Sequence, residues 1–371
     1  MEFTVSKGDL VRELSLSQGV VEKKTTIPIL SNILVEASDG RIVLTATDLE
    51  LGIRVSCAAR VKRQGAGTIP AKKLLDYVRL LPEADVDVKL QENQWTSLLC
   101  GRSRTRIAGM SRESFPELPD MPDTLAEIPV KLLAGMIGRT IFAISAEESR
   151  FTLNGALLLL KNNSITMVAT DGHRLAMVDA ALDLPAITGQ FRALLPRKAM
   201  AEILKLAGES EADAAISFSG DDNHLFFRLG ERLLLSRKLT GNFPDFERVL
   251  PKDHPNSIQL GRDELRGAIE RVSQFSDERS RAIRLKMAEG EIRIHSSLSE
   301  TGESEESLNA DYDGEPVEIG FNAQYLLDFL RAVPEEQVAF YFRDPNSAGE
   351  LRPAAANDSG SYRYVVMPMR I

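Results

Sequence analysis

The sequence predicts an α+β protein made of three repeated domains, each with two helices packed on antiparallel sheet. Three observations lead to this prediction. A strand–helix–acidic turn–strand pattern occurs three times, another helix opens each third of the chain, and a hairpin pattern follows each opening helix. Equivalent points lie about 125 residues apart. We therefore place the domains at residues 1–121, 122–250 and 251–371.

The opening helices show apolar residues at helical spacing. The segments are SKGDLVREL from residue 6, PVKLLAGMI from residue 129 and GRDELRGAI from residue 261. Because apolar residues recur every three or four positions, one face of each helix can be buried.

An antiparallel hairpin is predicted after each opening helix. Short turn sequences, Ser-Asp-Gly at 38–40, Asn-Asn at 162–163 and Glu-Gly at 289–290, separate runs rich in Val, Ile, Leu and Thr. Such turns between apolar runs are typical of paired strands.

The second helix of each repeat lies within residues 67–90, 193–218 and 317–342. In the first two copies the polar side of the helix is basic. The basic residues are Lys72, Lys73, Arg79, Arg197, Lys198 and Lys205. The formal net charge of the chain is −9, yet a protein that is acidic overall can be basic along one surface and contact a polyanion there. Helix charge alone favours the simpler interpretation, a solvated helix face.

The joins between repeats are Pro-rich. FPELPDMPDT covers residues 115–124 and FPDFERVLPKDHP covers residues 243–255. Proline-rich segments with few apolar residues are typical of linkers.

Most enzyme and membrane classes lack support in the sequence. No apolar run approaches the roughly 20 residues that span a bilayer, and the first ten residues show no secretory signal. Cys57 and Cys100 lie far apart and are expected to be ordinary thiols of a cytoplasmic protein. No nucleotide-binding glycine loop, nucleophile elbow or paired-histidine metal motif occurs. These absences favour a binding protein without catalytic residues, metal or cofactor.

VATDGHRLA, residues 168–176, places Asp171 two positions before His173 and suggests a catalytic pair. The first repeat has TATDLELGI at the same place, with Leu49 and Glu50 in the corresponding positions. A feature of one repeat only is more typical of a specific binding site than of shared catalysis. We therefore expect the aspartate to accept backbone N–H bonds in a turn, and keep a hydrolase as the second hypothesis.

Six motifs occur in one order along the whole chain. They are TIPIL (26–30), TDLE (47–50), VATDGHRLA (168–176), FPDFERVLP (243–251), IGFNAQYLLDFL (319–330) and YVVMPMRI (364–371). Together with the triple repeat, they closely resemble the bacterial DNA polymerase III beta subunits, the sliding clamps of replication.

The resemblance implies a crescent of three clamp domains, two of which close head to tail into a homodimeric ring. Such a ring encircles duplex DNA without regard to sequence. It tethers DNA polymerase III, other polymerases, the clamp loader, and repair and replication factors through short peptides. The resemblance implies no catalytic activity, no cofactor and no membrane partner. A clamp-like fold that binds peptides without closing on DNA is the third hypothesis.

The resemblance also implies three sets of site residues. The peptide-binding groove comprises Leu153, Thr170, Gly172, His173, Arg174, Leu175, Pro244, Arg248, Val249, Asn322, Tyr325, Val365, Val366, Met367, Pro368, Met369 and Arg370. The DNA-binding residues are Lys24, Lys72, Lys73, Arg150, Arg197 and Lys198. The dimer seam places Thr105 and Ile107 against Phe275 of a second copy.

Two positions and one segment depart from the family pattern. Ser280 stands where an aromatic residue is expected beside the groove, and Thr105 is less apolar than a seam residue should be. Residues 343–361 form an insertion that we expect to be a surface loop.

Overall fold

The computed structural model describes residues 1–21, 26–211, 213–298, 302–355 and 360–370. The chain divides into two compact units. Unit 1 is Met1–Ala134 with Lys198–Lys238, and unit 2 is Gly135–Arg197 with Leu239–Ile371.

The described residues contain six α-helices, two for each predicted repeat. They are α1 Lys7–Ser17, α2 Ala71–Arg79, α3 Val130–Thr140, α4 Arg197–Gly208, α5 Arg262–Val272 and α6 Ala323–Ala332. The predicted opening and second helices are therefore confirmed. Their starts follow local chemistry, since the side chains of Ser6 and Asn322 accept backbone N–H bonds at the first turns of α1 and α6.

The strands account for most of the remaining described chain. They are β1 Glu2–Ser6, β2 Asn32–Ser38, β3 Arg41–Thr47, β4 Leu51–Ala58, β5 Arg60–Arg63, β6 Gly65–Pro70, β7 Asp85–Leu90, β8 Trp95–Cys100, β9 Ser103–Ala108, β10 Ala126–Pro129, β11 Gly155–Lys161, β12 Ser164–Thr170, β13 Arg174–Ala181, β14 Gln190–Pro196, β15 Ala215–Gly220, β16 His224–Leu229, β17 Arg232–Arg237, β18 Asn256–Gly261, β19 Ala282–Ala288, β20 Glu291–Leu298, β21 Gly302–Asn309, β22 Val317–Asn322, β23 Gln337–Phe342, β24 Gly349–Pro353 and β25 Ser361–Val366. The three predicted hairpins are β2–β3, β11–β12 and β19–β20, and each is antiparallel.

Unit 1 contains two sheets. The five-stranded sheet has the order β5-β1-β7-β8-β9, and the eight-stranded sheet has the order β10-β15-β16-β17-β4-β3-β2-β6. In the larger sheet β17 pairs with β4, for example Leu235 with Gly52, and so joins the last strands of the second repeat to the first strands of the first.

Unit 2 repeats this plan. Its eight-stranded sheet has the order β14-β11-β12-β13-β25-β24-β23-β18, with Leu175 paired to Val365 where β13 meets β25. A four-stranded sheet, β21-β20-β19-β22, completes the unit. Read from β6 in unit 1 and from β14 in unit 2, the two large sheets correspond strand by strand.

Alternating burial along the strands builds the core under the helices. On α2 the buried residues are Ala71, Leu74, Leu75 and Val78, which lie on one face. Lys72 and Lys73 are exposed on the other face of the same helix. Cys57 and Cys100 are buried free thiols, and burial raises the pKa of the Cys57 thiol to about 12.

The expectation of a surface loop at residues 343–361 is wrong for its middle part. Residues Gly349–Pro353 form β24, which lies between β23 and β25 inside the eight-stranded sheet. Leu351 and Glu350 on this strand are fully or nearly fully buried. The run GELRP has too few apolar residues to read as a strand, since its buried Glu350 is a charge that is paired with the half-buried Arg363. Residues 356–359 lie outside the described part.

No helix in the described ranges is long and apolar enough to cross a membrane.

Candidate functional site

The turn after β3 is held by two side chains. Thr47 Oγ1 donates to the carbonyl oxygen of Leu51 and accepts from the N–H of Leu49. Asp48 Oδ1 accepts from the N–H groups of Glu50 and Leu51, at 3.0 and 2.7 Å. Leu49 has a φ of 75°, in the left-handed region that favours glycine.

The turn after β12 has the same four hydrogen bonds. Thr170 Oγ1 donates to the carbonyl oxygen of Arg174 and accepts from the N–H of Gly172. Asp171 Oδ1 accepts from the N–H groups of His173 and Arg174, at 2.9 and 3.1 Å. Gly172 has a φ of 90°. The expectation that both aspartates cap a turn is confirmed, and a catalytic role for Asp171 is not needed to explain it.

Arg174 connects this turn to two other segments of the chain. Its Nε donates to Asp171 at 3.0 Å, one terminal nitrogen donates to Asp328 on α6 at 2.6 Å, and the other donates to the carbonyl oxygen of Phe142 at 2.6 Å. The guanidinium also lies over the rings of Tyr325, at 4.4 Å, and Phe142, at 5.5 Å.

The environment of Arg174 keeps it charged. Its side chain is 10% exposed. Burial acts to lower the pKa of Arg174, but Tyr364, Asp328 and Asp171 outweigh it and raise the pKa above its ordinary value. Because most of its N–H groups already have partners, Arg174 is suited to fix the turn rather than to bind a ligand directly.

Beside the turn lies an apolar cavity of about 100 Å³. It brings together many of the predicted groove residues, namely Leu153, Thr170, Gly172, Arg174, Leu175, Pro244, Val249, Val365 and Met367. Leu175 and Val365 are cross-strand neighbours, so the cavity floor is the junction of β13 and β25. A small apolar cavity with backbone and threonine groups at its edge suits an apolar side chain of a peptide.

Sequence reasoning missed one lining residue, Phe246. It lies in a short 3₁₀ helix, Phe246–Arg248, and packs with Phe243 in the cluster below the cavity. The only sequence signal was its place in FPDF, because burial of one phenylalanine in a Pro-rich join has no periodicity to reveal it.

The segment after β25 runs along the same face. The N–H of Met367 donates to the carbonyl oxygen of His173, and that of Met369 donates to the carbonyl oxygen of Gly320. Met367 is 37% exposed, which leaves a flexible thioether available for contact.

Other predicted groove residues lie outside the cavity lining. They are His173, Arg248, Asn322, Tyr325, Val366, Pro368, Met369 and Arg370. His173 and Arg370 are exposed, and the side chain of Arg248 is 86% exposed. Asn322 caps α6 and donates to the carbonyl oxygen of Ser280, so the position of Ser280 faces the start of that helix.

The predicted DNA-binding residues differ in their surroundings. Lys72 and Lys73 are exposed on α2, and no ion pair of either is found among the described residues. Lys198 is also exposed, but its ammonium pairs with Asp48 of the first turn. Arg150 pairs with Glu147 and donates to the carbonyl oxygen of Asp171.

The two remaining residues predicted to bind DNA are Arg197 and Lys24. Arg197 is exposed at the first position of α4. Lys24 lies outside the described residues.

The predicted seam residues lie at two open sheet edges. Thr105 and Ile107 are on β9, the last strand of the five-stranded sheet, where Ile107 is buried and Thr105 is half-buried. Phe275 follows α5, and its ring lies close to Gly302 at the start of β21, the end strand of the four-stranded sheet.

A buried ionic cluster in unit 2 surrounds Glu350, which is the cross-strand partner of the groove residue Val365. Glu350 accepts hydrogen bonds from Arg352 at 2.7 Å and Arg363 at 2.5 Å, and its other oxygen is 2.9 Å from His254 Nε2. Burial acts to raise the pKa of Glu350, but these hydrogen bonds outweigh it and lower the pKa to about 2. Arg363 also donates to the carbonyl oxygen of Pro251, so the cluster holds the join between the second and third repeats.

Catalytic and metal chemistry find no support in the described residues. No three His, Cys, Asp or Glu side chains there are grouped to hold a metal. His173 is exposed, and its backbone N–H rather than its ring meets Asp171 in the hydrogen bonds found.

Three family models of the DNA polymerase III beta subunit match the chain. The N-terminal domain matches residues 1–119, the central domain residues 127–245 and the C-terminal domain residues 247–370.

Whole proteins are similar over the same length. The beta sliding clamp of Pseudomonas putida is 36% identical over 378 residues, with all of both chains covered. Among solved structures, a DNA polymerase sliding clamp from Pseudomonas aeruginosa has a TM-score of 0.92 at 34% identity. A DnaN sliding clamp from that organism bound to griselimycin has a TM-score of 0.94 at 35% identity. Each comparison covers 100% of both chains.

Proposed function

Because the chain belongs to the bacterial DNA polymerase III beta subunit family, the sliding clamps of DNA replication, we propose that two copies close head to tail into a ring around duplex DNA. The chain is a non-catalytic replication clamp of three clamp domains. The proposal assigns the domains to residues 1–121, 122–250 and 251–371. Since a bacterial replication clamp acts on DNA, it also assigns the protein to the cytoplasm.

The strand pairing carries the proposal of a ring. In each eight-stranded sheet the final strand of one repeat pairs with the fourth strand of another, β17 with β4 and β25 with β13. The corresponding strands β9 and β21 each end a sheet in the described residues. Pairing β9 of one copy with β21 of the other would repeat the same junction twice and leave neither edge open.

Charge supports this pairing. Arg104 and Arg106 are exposed on β9, whereas Glu303 and Glu305 are exposed on β21. Opposite signs on the two edges favour the joining of unlike ends and disfavour the joining of like ends. Thr105, Ile107 and the second copy's Phe275 would then meet at the seam.

The DNA contacts are proposed to be weak and numerous. Lys72, Lys73, Arg150, Arg197 and Lys198, with Lys24, give positive charge to a chain whose net charge is −9. A ring retains DNA by enclosing it, so phosphate contacts need only keep the duplex away from acidic surface. Strong phosphate binding would oppose sliding.

The groove is proposed to hold short peptides of polymerases, the clamp loader and repair factors. The cavity between Leu175, Val365 and Phe246 would take an apolar side chain, and Met367 can adapt to different anchors. Griselimycin, which is bound to the similar clamp of Pseudomonas aeruginosa, is a suitable probe. A polymerase held in this way stays near the primer end at high effective concentration.

Retention on circular DNA tests the ring. The protein is loaded onto nicked circular duplex by its clamp loader with ATP, and the complex is then washed at high salt. We expect the clamp to stay on the circle and to be lost when a restriction enzyme opens it.

Two results would contradict the proposal. Loss from circle and linear DNA alike as salt rises would indicate ordinary electrostatic binding. Griselimycin binding without retention on any DNA would favour the clamp-like protein that binds only peptides.

A further inference from the structure

Leu80 is the most exposed large apolar side chain among the described residues, at 86%. It directly follows α2, and its N–H still donates to the carbonyl oxygen of Tyr77 at 3.1 Å. The next residue, Leu81, is buried at 5% exposure. The end of the helix therefore fixes Leu80 outwards while Leu81 joins the core.

The repeats show that this position does not require an apolar residue. In each repeat we compare the residue just before the last buried apolar residue of the second helix or of its first residues beyond the end, which is Leu81, Leu206 or Val333. That position holds Leu80 in the first repeat, Lys205 in the second and Ala332 in the third. A single exposed leucine is common on protein surfaces, so its surroundings must decide its role.

Leu80 lines a cleft of about 1040 Å³ together with Tyr77, Thr105, Arg106 and Ile107. This cleft lies along the open edge strand β9. Because Ile107 is already buried and Thr105 is partly polar, β9 itself offers little apolar surface to a partner. Leu80 supplies that surface at the same edge.

We propose that Leu80 is an apolar anchor of the homodimer and packs against the edge formed by β21 and Phe275 of a second copy. The inference rests on the proposed ring. A second copy is the occupant that fits, because the basic edge of β9 beside Leu80 matches the acidic edge of β21. Lys72 and Lys73, which are proposed to contact duplex DNA, line the same cleft, but the apolar side chain of Leu80 offers no charge to a phosphate.

An apolar anchor at this position explains how a seam with Thr105 can hold. Interface energy is concentrated in a few well-buried side chains, surrounded by neighbours that exclude water. Leu80 at the rim of the cleft would become such a side chain on dimerisation, in place of the missing apolar residue on β9.

Dimer dissociation constants test the proposal. Wild type, Leu80→Ala, Leu80→Lys and Leu80→Met are compared by subunit exchange between fluorescently labelled copies and by sedimentation. We expect Leu80→Ala to raise the dimer Kd by about tenfold or more, as removal of one buried leucine side chain implies. Leu80→Lys should raise it further, and Leu80→Met should restore most of the affinity.

Leu49→Ala is the matched control, since Leu49 is also exposed but lies on the turn after β3. Its dimer Kd should equal that of wild type, and urea unfolding should show that the Leu80 variants remain folded. A Leu80→Ala protein that dimerises like wild type would overturn this inference and leave the ring intact. A wild type that stays monomeric at every concentration would overturn the ring and this inference together.

Discussion

At the scale of single residues, Arg174 holds together the segments that form the groove. Its guanidinium joins the turn at Asp171 to Asp328 on α6 and to the backbone at Phe142. It therefore positions the residues that would meet a peptide. Its flat, forked shape matters as much as its charge, because an ammonium carries its three donors on one atom and has no plane to lie over the two rings.

We predict that Arg174→Met lowers the free energy of unfolding by about 3 kcal/mol or more, because it leaves two carboxylates without their partner. Arg174→Lys keeps the charge but should still weaken griselimycin binding. The checks are urea unfolding and calorimetric titration. Arg248→Lys, at an exposed side chain, is the control and should change stability little. Equal affinities for Arg174→Lys and wild type would refute a positioning role.

Glu350 gives a second prediction, on pH. Its folded pKa of about 2 lies below the ordinary 4.5, so the folded protein binds this proton less readily than the unfolded chain. The resulting stability, about 3 kcal/mol, is present above pH 4.5 and is lost as the pH falls from 4.5 towards 2.

Glu350→Gln should therefore be less stable than wild type at pH 7, and the difference should shrink as the pH falls from 4.5 to 2. Urea unfolding at a series of pH values measures it. Glu117→Gln, at an exposed carboxylate, should keep the pH profile of wild type. If the free energies of unfolding of wild type and Glu350→Gln differed by the same amount at every pH in this range, the charge of Glu350 would not be the source of the stability.

At the scale of elements, the second helices carry the positive charge, but their lysines are not equivalent. Lys72 and Lys73 on α2 have no ion pair among the described residues, whereas Lys198 on α4 is paired with Asp48. A lysine that is already paired gains less by meeting a phosphate, since the existing pair must be broken first.

We predict that the double change Lys72→Gln and Lys73→Gln lowers the salt slope of DNA binding by up to about 2, one for each phosphate that is no longer neutralised. Lys198→Gln should lower it less. DNA affinity measured over a salt series decides between them. Lys161→Gln, at the exposed last position of β11, should leave the salt slope unchanged. If it lowered the slope as much as a change at Lys72, net charge rather than the position of the lysines would determine DNA binding.

The sequence predicted those elements whose apolar residues recur at a regular spacing. It did not predict elements that lack such a spacing. Helical spacing located the six α-helices of the described ranges, and turn residues located the three hairpins. Strand β24 was missed because its buried Glu350 interrupts any apolar pattern and is explained by His254, Arg352 and Arg363. Likewise Phe246 and Leu80 acquire their roles from neighbours far away in the sequence, and spacing does not report such neighbours.

At the scale of the whole molecule, the two open edges determine how copies can combine. A copy with Arg104→Glu and Arg106→Glu presents two acidic edges, and a copy with Glu303→Arg and Glu305→Arg presents two basic ones. We predict that each variant alone dimerises more weakly than wild type, because like charges then face each other.

Mixing the two variants should restore the dimer. At one seam the acidic β9 of the first variant meets the basic β21 of the second, and at the other seam the unchanged β9 and β21 meet. Labelled copies and native mass spectrometry report the mixed species. Rising salt should weaken the wild-type dimer and strengthen the single-variant dimers. If mixing restores nothing, the two edges do not meet.

The two Thr-Asp turns also explain how copies of one unit can acquire separate tasks. Thr47 and Asp48, like Thr170 and Asp171, hold the turn with their own side chains and need only backbone atoms from the residues that follow. The side chains at the next two positions are therefore not needed for the turn, although Leu49 and Gly172 must both adopt a left-handed backbone. After duplication of an ancestral unit they could diverge without loss of the fold, towards Leu49 and Glu50 in one copy and Gly172 and His173 in the other.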